Sequence, residues 1–408
     1  MKLINQAAAP CCGRQGGKRM FADFIDALLG AVLSMSGLDI AKMLVMWAIG
    51  GVLIYLAVKK DMEPSLLLPM GFGAILVNLP LSGAVDQLYD TGLEEGAIDV
   101  LFRAGIANEL FPLLLFIGIG AMIDFGPLLS NPKLLLFGAA AQFGIFVTLT
   151  LACGVNMIFP GMFSLQDAAC VGIIGAADGP TAIFLSNYFG TKYLGAIVVA
   201  AYSYMALVPI IQPPVIRAIT TKKERMIRMP YEAKEISRTV RILFPIVVTV
   251  IAGLVAPRSV ALVGFLMFGN LLRECGVLNS LSETAQNVLA NLITIFLGIT
   301  IATKMQADQF LTGGTLLIIA LGLFAFVFDT VGGVLFAKFI NLFAKKKINP
   351  MIGACGISAF PMSSRVIHKM GLKEDPQNFL LMHAAGVNVG GQIASVIAGG
   401  LILNLIAR

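Results

Sequence analysis

Long apolar runs separated by short polar joints make up almost the whole chain. The runs cover 41–58, 65–84, 111–130, 134–159, 168–189, 193–216, 242–256, 259–273, 287–303, 312–343 and 350–405, the last interrupted by Lys369–Asn378. Many approach the ~20 residues that a helix needs to cross hydrocarbon. Because a bilayer offers no partner for backbone N–H and C=O groups, each run must satisfy its own, so helices are expected there and strands are not. The expected fold class is therefore all-α: a polytopic membrane protein of about 10–12 helical segments.

One run breaks its own pattern. GAADGPTAIF, residues 175–184, sets Asp178, Gly179 and Pro180 side by side in otherwise apolar ground. Glycine is a poor helix former and proline donates no backbone hydrogen bond, so the helix should unwind beside the aspartate. Carbonyl oxygens freed there can join the Asp178 carboxylate around a cation, an intramembrane acid being a functional candidate by default. The competing reading is a proline kink with a solvated aspartate at a helix end.

A second segment matches the first. Residues 172–190 laid over 353–371 align Gly172 with Gly353, Gly175 with Gly356, Pro180 with Pro361 and Gly190 with Gly371 at one offset of 181. Upstream, LLLFIGIGA at 113–121 matches ITIFLGITI at 293–301 at an offset of 180. Paired Gly/Pro-interrupted spans are the sequence mark of alternating-access transporters, whose broken helices bind ions near mid-membrane. We expect two homologous repeats, inverted relative to one another, over 41–216 and 242–408. A polar, interfacial segment (1–40) precedes them and a basic loop (217–241) joins them. The second break, ISAFPMSSR, offers the hydroxyls of Ser358, Ser363 and Ser364. A small hard cation needs about five or six oxygens, and one carboxylate with hydroxyl, amide and carbonyl groups is sodium-like chemistry.

Composition agrees with a bilayer solvent. Of 408 residues 58% are hydrophobic and 13% charged, where soluble domains carry about 25%. The net charge of +6 is concentrated: Arg217, Lys222, Lys223, Arg225, Arg228, Lys234, Arg238 and Arg241 crowd one joint, which the positive-inside rule assigns to the cytoplasm. Apolar flanks and a lack of interleaved aromatics argue against nucleic acid as the partner. Cys11, Cys12, Cys153, Cys170, Cys275 and Cys355 show no metal spacing and read as packing residues. The stretch FADFIDALLGAVLSMSG, with Asp23 and Asp26, reads as an interfacial helix, and no signal-peptide cleavage is expected. No GxxxxGK[ST] loop and no HExxH occurs, so the chain itself is not expected to burn ATP.

Other polar groups keep two readings each. Asp124 is a helix-end residue or a ligand; Asp329 belongs to a packed ion pair or a proton path; Gln142 is an interhelical bond before it is a ligand. Arg365 either reaches the headgroups or faces a cavity and binds an anion, for which its planar fork suits a carboxylate. Asn388, near Gln392 and Ser395 in the last span, reaches the ion site or joins helices. Tyr202 and Tyr204 each need a partner when buried.

Together GAMIDFGPLLSNP, GIIGAADGPTAIFLSNYF, YSYMALVPIIQPP, NPMIGACGISAFPMSSR and GVNVGGQIASVIAGG resemble the beta subunit of the biotin-dependent, sodium-translocating decarboxylases, which serve oxaloacetate, methylmalonyl-CoA and glutaconyl-CoA. The resemblance runs from about residue 40 to the end. It implies a multi-pass subunit of a bacterial cytoplasmic membrane that decarboxylates carboxybiotin, exports Na+ and consumes a proton. Partners so implied are a biotin carrier subunit, a carboxyltransferase alpha subunit, a small membrane-anchored subunit and further copies of the chain; biotin is not attached to this chain. It further implies catalytic roles for Asp178 and Tyr204, to which we add Arg365 as holder of the carboxybiotin carboxylate, and a sodium-binding set of Asp178, Asn349, Gly353, Ser358 and Asn388, with Na+ held at Asp178, Ser358 and Asn388. Sodium favours the ionised carboxyl and an arriving proton favours sodium release, which couples the two. A sodium-coupled carboxylate symporter is the alternative, since it would use the same breaks and bind its anion in the same place.

Overall fold

A computed structural model describes residues 35–406 apart from 61–62, 81, 90–91 and 231–234. The expected interfacial stretch with Asp23 and Asp26, Cys11, Cys12 and Lys234 lie outside the described residues. Helices dominate the rest. Six among the described residues are long and apolar enough to cross a membrane, or eight if each of two bent pairs is one span.

The main helices of the first half are α1 (Gly37–Lys60), α2 (Pro64–Val77), α3 (Ala97–Gly105), α4 (Leu110–Met122), α5 (Leu135–Ala141), α6 (Phe143–Ile158), α7 (Leu165–Gly172), α8 (Gly179–Tyr188) and α9 (Leu194–Ile219). The second half carries α10 (Arg238–Val255), α11 (Val260–Glu274), α12 (Ala290–Ile301), α13 (Gly313–Phe343), α14 (Met362–Glu374) and α15 (Leu381–Ile406). Among the described residues strands are confined to a two-stranded hairpin, Gln87–Tyr89 with Gly92–Glu94, in the joint between α2 and α3.

Local chemistry explains several boundaries. Ser164 and Asp167 cap the start of α7 reciprocally, and Thr221 with Glu224 does the same for Lys222–Arg225. Pro209 lacks the N–H that would bond the Met205 carbonyl, and α9 bends by 67° between Leu194–Met205 and Leu207–Ile219. Gln142 sits at the kink between α5 and α6, donating Nε2 to the carbonyls of Gly138 and Gly356 at 3.0 and 3.2 Å. It is thus an interhelical bond, as expected. Asp124 accepts the Gly126 N–H at 2.8 Å, which is a helix-end role.

Small residues let backbones meet where lipid supplies no hydrophobic drive between helices. A Cβ on Gly120 would lie 1.8 Å from the Leu266 carbonyl, and one on Gly269 would lie 2.0 Å from that of Ile117, so α4 and α11 touch through both glycines. Two packed groups result. In one, α2 and α4 pack against α12, with α1 on α2 and α11 on α4; in the other, α9 and the α5–α6 pair pack on α13, and α15 on α5.

Element order repeats at the offsets found above: α4 against α12, α5–α6 against α13, the α7–α8 break against the segment 350–374, and α9 against α15. We propose on this correspondence that the halves are copies of one unit, divided near 217–241. That joint is tied down from below. Arg225 pairs with Glu374 at 2.8 Å, Arg228 with Asp375 at 2.5 Å, and Lys338 with Glu224 at 3.1 Å. The Arg228 guanidinium beside Asp375 holds its carboxyl below the usual carboxylate range. A depressed carboxyl stabilises the docked loop above its unfolded pKa, about 4, and that contribution fades as pH falls through the lower folded value. Amide protection factors over 222–230, which remove the intrinsic pH dependence of exchange, should therefore be high at pH 7 and fall below about pH 4, while Asp375→Asn should show the lowered protection already at neutral pH.

Candidate functional site

Both expected breaks are present, and they cross. After α7 the chain makes a 3-10 turn over Ile173–Ala176, Ala177 turns left-handed at φ 51, and Asp178 is extended before α8 begins. A left-handed alanine costs roughly 1–2 kcal/mol, strain of the kind found at functional sites. The second segment mirrors this with a 3-10 turn over Pro350–Gly356, then 357–360 without helix, then α14. At the crossing the Ser358 N–H donates to the Ala176 carbonyl at 2.8 Å, joining the breaks by backbone.

The Asp178 carboxylate is buried at this crossing. It caps α8, taking the Thr181 N–H at 3.3 Å on Oδ1, and the positive end of the helix dipole favours its charge. Its Oδ2 accepts from Ser395 at 2.7 Å, Thr181 Oγ1 at 2.8 Å and, more weakly, Ser358 at 3.4 Å. Ser358 and Ser395 lie 2.9 Å apart. Asn388 donates Nδ2 to the Ile357 carbonyl at 2.7 Å, which leaves its buried Oδ1 without a partner among the described residues. Two carboxylate oxygens and three hydroxyls, with the spare amide oxygen of Asn388 further along the last helix, come from three chain segments and suit a hard monovalent cation.

The structure thus brings Asp178, Ser358 and Asn388 to one crossing and places Asn349, Gly353 and Tyr204 elsewhere. Asn349 donates Nδ2 to the carbonyls of Arg225 and Ile227 at 2.8 and 2.9 Å, pinning the basic loop to the second 3-10 turn. A Cβ on Gly353 would lie 2.0 Å from the Gly333 carbonyl, so that glycine is a contact with α13. Tyr204 donates to the Ile319 carbonyl and packs on Gly322, both in α13. Asp329 is fully buried against Gly144 and Gly175 and makes no ion pair among the described residues.

Ser395 makes the shortest bond to Asp178 and stands in the sequence only as one polar residue of the last span. Its spacing carried the signal: 388, 392 and 395 share one helix face. Tyr202, rather than Tyr204, overlies the break, because a Cβ on Gly179 would fall 1.9 Å from its ring. Its hydroxyl is buried without a partner among the described residues. Tyr204→Phe should free the Ile319 carbonyl and cost about 1 kcal/mol in thermal stability. Removal of an orphan donor costs no bond, so Tyr202→Phe should leave stability intact and change sodium-dependent activity instead.

From Asp178 a cavity of about 590 Å³ opens, within the ~300–1,000 Å³ of small-molecule sites. Its walls include Asp178, Tyr202, Ser358, Arg365 and Gln392 on one packed group, and Glu63, Gln286, Asn291 and Thr294 on the other. Arg365 reaches this cavity, and its guanidinium makes no ion pair or hydrogen bond among the described residues. A guanidinium cation and a buried carboxylate therefore face one space.

Residues 42–406 match the family profile described as Na+-transporting oxaloacetate decarboxylase beta subunit. The chain belongs to this beta-subunit family. It is 49% identical over 379 residues to the methylmalonyl-CoA decarboxylase subunit beta of Propionigenium modestum, covering 89% of this chain and 94% of the relative. It is 45% identical over 405 residues to the oxaloacetate decarboxylase beta chain of Haemophilus ducreyi, covering 87% and 93%. With the Klebsiella pneumoniae oxaloacetate decarboxylase beta chain it shares 45% over 410 residues, covering 89% and 94%. As a beta subunit of this family the protein is a multi-pass membrane component of a sodium-translocating, biotin-dependent decarboxylase.

Proposed function

We propose that the chain takes carboxybiotin from a separate carrier subunit into the cavity beside Asp178, releases CO2 and drives sodium out of the cell. The observation that carries this is the shared cavity: Arg365 can hold the carboxylate of the carried group while Asp178, with Ser358, Ser395 and Asn388, holds sodium. In the reaction the N–C bond to the carboxylate breaks, the electron pair stays on the ureido nitrogen, CO2 leaves and the nitrogen takes a proton. Removing the carboxylate from water beneath Tyr202 and Phe360 favours that charge-dispersing step.

Moving one charge against ~100 mV costs ~2.3 kcal/mol, so decarboxylation must not run without transport. Competition between sodium and a proton for Asp178 supplies that constraint, given that the loaded and protonated forms prefer opposite-facing conformations. The chain is similar at 49% and 45% to relatives named for two different acyl substrates. This supports a subunit that works after the acyl group has been dealt with, by a carboxyltransferase alpha subunit. A small membrane subunit and further copies of the chain complete the proposed complex in a bacterial cytoplasmic membrane.

The test is CO2 release from free carboxybiotin by the purified chain in liposomes, with and without sodium, alongside uptake of labelled sodium. Sodium-stimulated release with sodium movement is the expected result. Sodium movement that ignores carboxybiotin and follows an added carboxylate would leave the symporter.

A further inference from the structure

Across the cavity from the ion site lies a polar strip in otherwise apolar sequence. It begins in a π-helical turn, Thr284–Leu289, that leads into α12. Gln286 and Asn291 are five residues apart, which on a regular α-helix would put them ~140° apart around the axis. A π turn closes its hydrogen bonds over five residues, so it turns Gln286 toward the face of Asn291, and such turns are common at functional sites. Both residues and Thr294 line the cavity.

Their hydrogen-bonding capacity is unevenly used. Gln286 donates Nε2 to Ser282 Oγ at 2.9 Å, which leaves its amide oxygen as an acceptor. Thr294 donates to the Ala290 carbonyl at 2.6 Å, which leaves its oxygen lone pairs. Asn291 is exposed on the cavity wall within ANLITIFLG, and its side chain makes no hydrogen bond among the described residues. An amide left unpaired in an apolar helix is costly unless water or a ligand meets it.

We propose that this strip is the seat of the cyclic urea that bears the transferred carboxylate, with Asn291 as the donor to the ureido oxygen. The inference rests on the carboxybiotin reading above. An N-carboxylated cyclic urea offers one carbonyl oxygen, one remaining N–H and one carboxylate. The cavity answers with one free amide donor (Asn291), spare acceptors (Gln286 and Thr294) and one unpaired guanidinium (Arg365). When the N–C bond breaks, its electron pair spreads from nitrogen onto the ureido oxygen, so the Asn291 hydrogen bond strengthens in the transition state, as a donor to a developing oxyanion does. Asn291 is thereby a further catalytic residue, and Gln286 and Thr294 bind the ring.

The experiment uses the full chain in liposomes, with Asn291→Leu, an apolar near-isostere, and Gln286→Met. For Asn291→Leu, kcat for free carboxybiotin should fall about 10²-fold with a smaller change in KM, whereas Gln286→Met should act mainly on KM. In both, binding of labelled sodium should stay native, which also shows that the fold is intact. A cyclic urea without a carboxylate, 2-imidazolidinone, should compete with carboxybiotin in the native chain and lose about tenfold or more in affinity in Asn291→Leu, by kinetics and by calorimetry. Native kcat, KM and urea affinity in both variants would overturn the proposal. If the native chain does not decarboxylate carboxybiotin, the function proposed above falls; calorimetry then still decides the urea seat, which is lost if the native chain binds no urea.

Discussion

Asp178→Asn is expected to abolish sodium-stimulated decarboxylation and sodium transport together while leaving the fold in place. Asparagine caps helices as well as aspartate does, so α8 should still start at Gly179 and the amide oxygen can still take the Thr181 N–H. What disappears is the one negative charge among the hydroxyls of Thr181, Ser358 and Ser395. Taking one partner from a buried ion pair costs about 3–5 kcal/mol, or roughly 10²–10⁴-fold in sodium affinity. Labelled-sodium binding and the sodium dependence of CO2 release measure it. A variant that binds sodium as tightly as the native chain would remove Asp178 from the ion site.

Arg365→Gln should spare sodium binding and cripple the handling of the carried carboxylate. The guanidinium is unpaired on the cavity wall, so no neighbouring carboxylate is stranded by its removal. Losing the charged partner of a bound anion costs about 2–5 kcal/mol, which predicts a rise in KM for carboxybiotin of about 30-fold or more. Arg365→Lys keeps the charge but loses the two-pronged geometry and should fall between. Unchanged KM in Arg365→Gln would show that the anion is held elsewhere.

These two residues were legible in the sequence because each violates its surroundings. Asp178 beside Gly179 and Pro180, and Arg365 after Pro361, are charges next to helix breakers in apolar runs, and the shared offset tied the two breaks together before any fold was known. The polar crossing proposed to hold sodium was half legible: Ser358 and Asn388 stood out, while Ser395 needed the helical spacing 388, 392, 395 to be taken as one face. Tyr202 and Tyr204 could not be separated that way. Two residues apart on a helix they point ~200° from each other, and only packing reveals which one meets Gly179. Least legible was the wall formed by Glu63, Gln286, Asn291 and Thr294. A single amide in ANLITIFLG has the same sequence signature as one that joins helices, and the π turn that aligns it with Gln286 leaves no compositional trace. The grip of Asn349 on the loop was not legible either, since an asparagine before a break has the same sequence signature whether its amide meets an ion or a neighbouring carbonyl.

That grip reaches beyond local packing. Asn349 and Asn378 both hold the Arg225 carbonyl, and Arg225 and Arg228 reach back to Glu374 and Asp375 at the end of α14. The basic loop is thereby fastened to both ends of the segment that contains Ser358. Whatever grips this loop therefore braces the second break at its two footings, and Ser358 cannot shift far without the loop giving way at one of them.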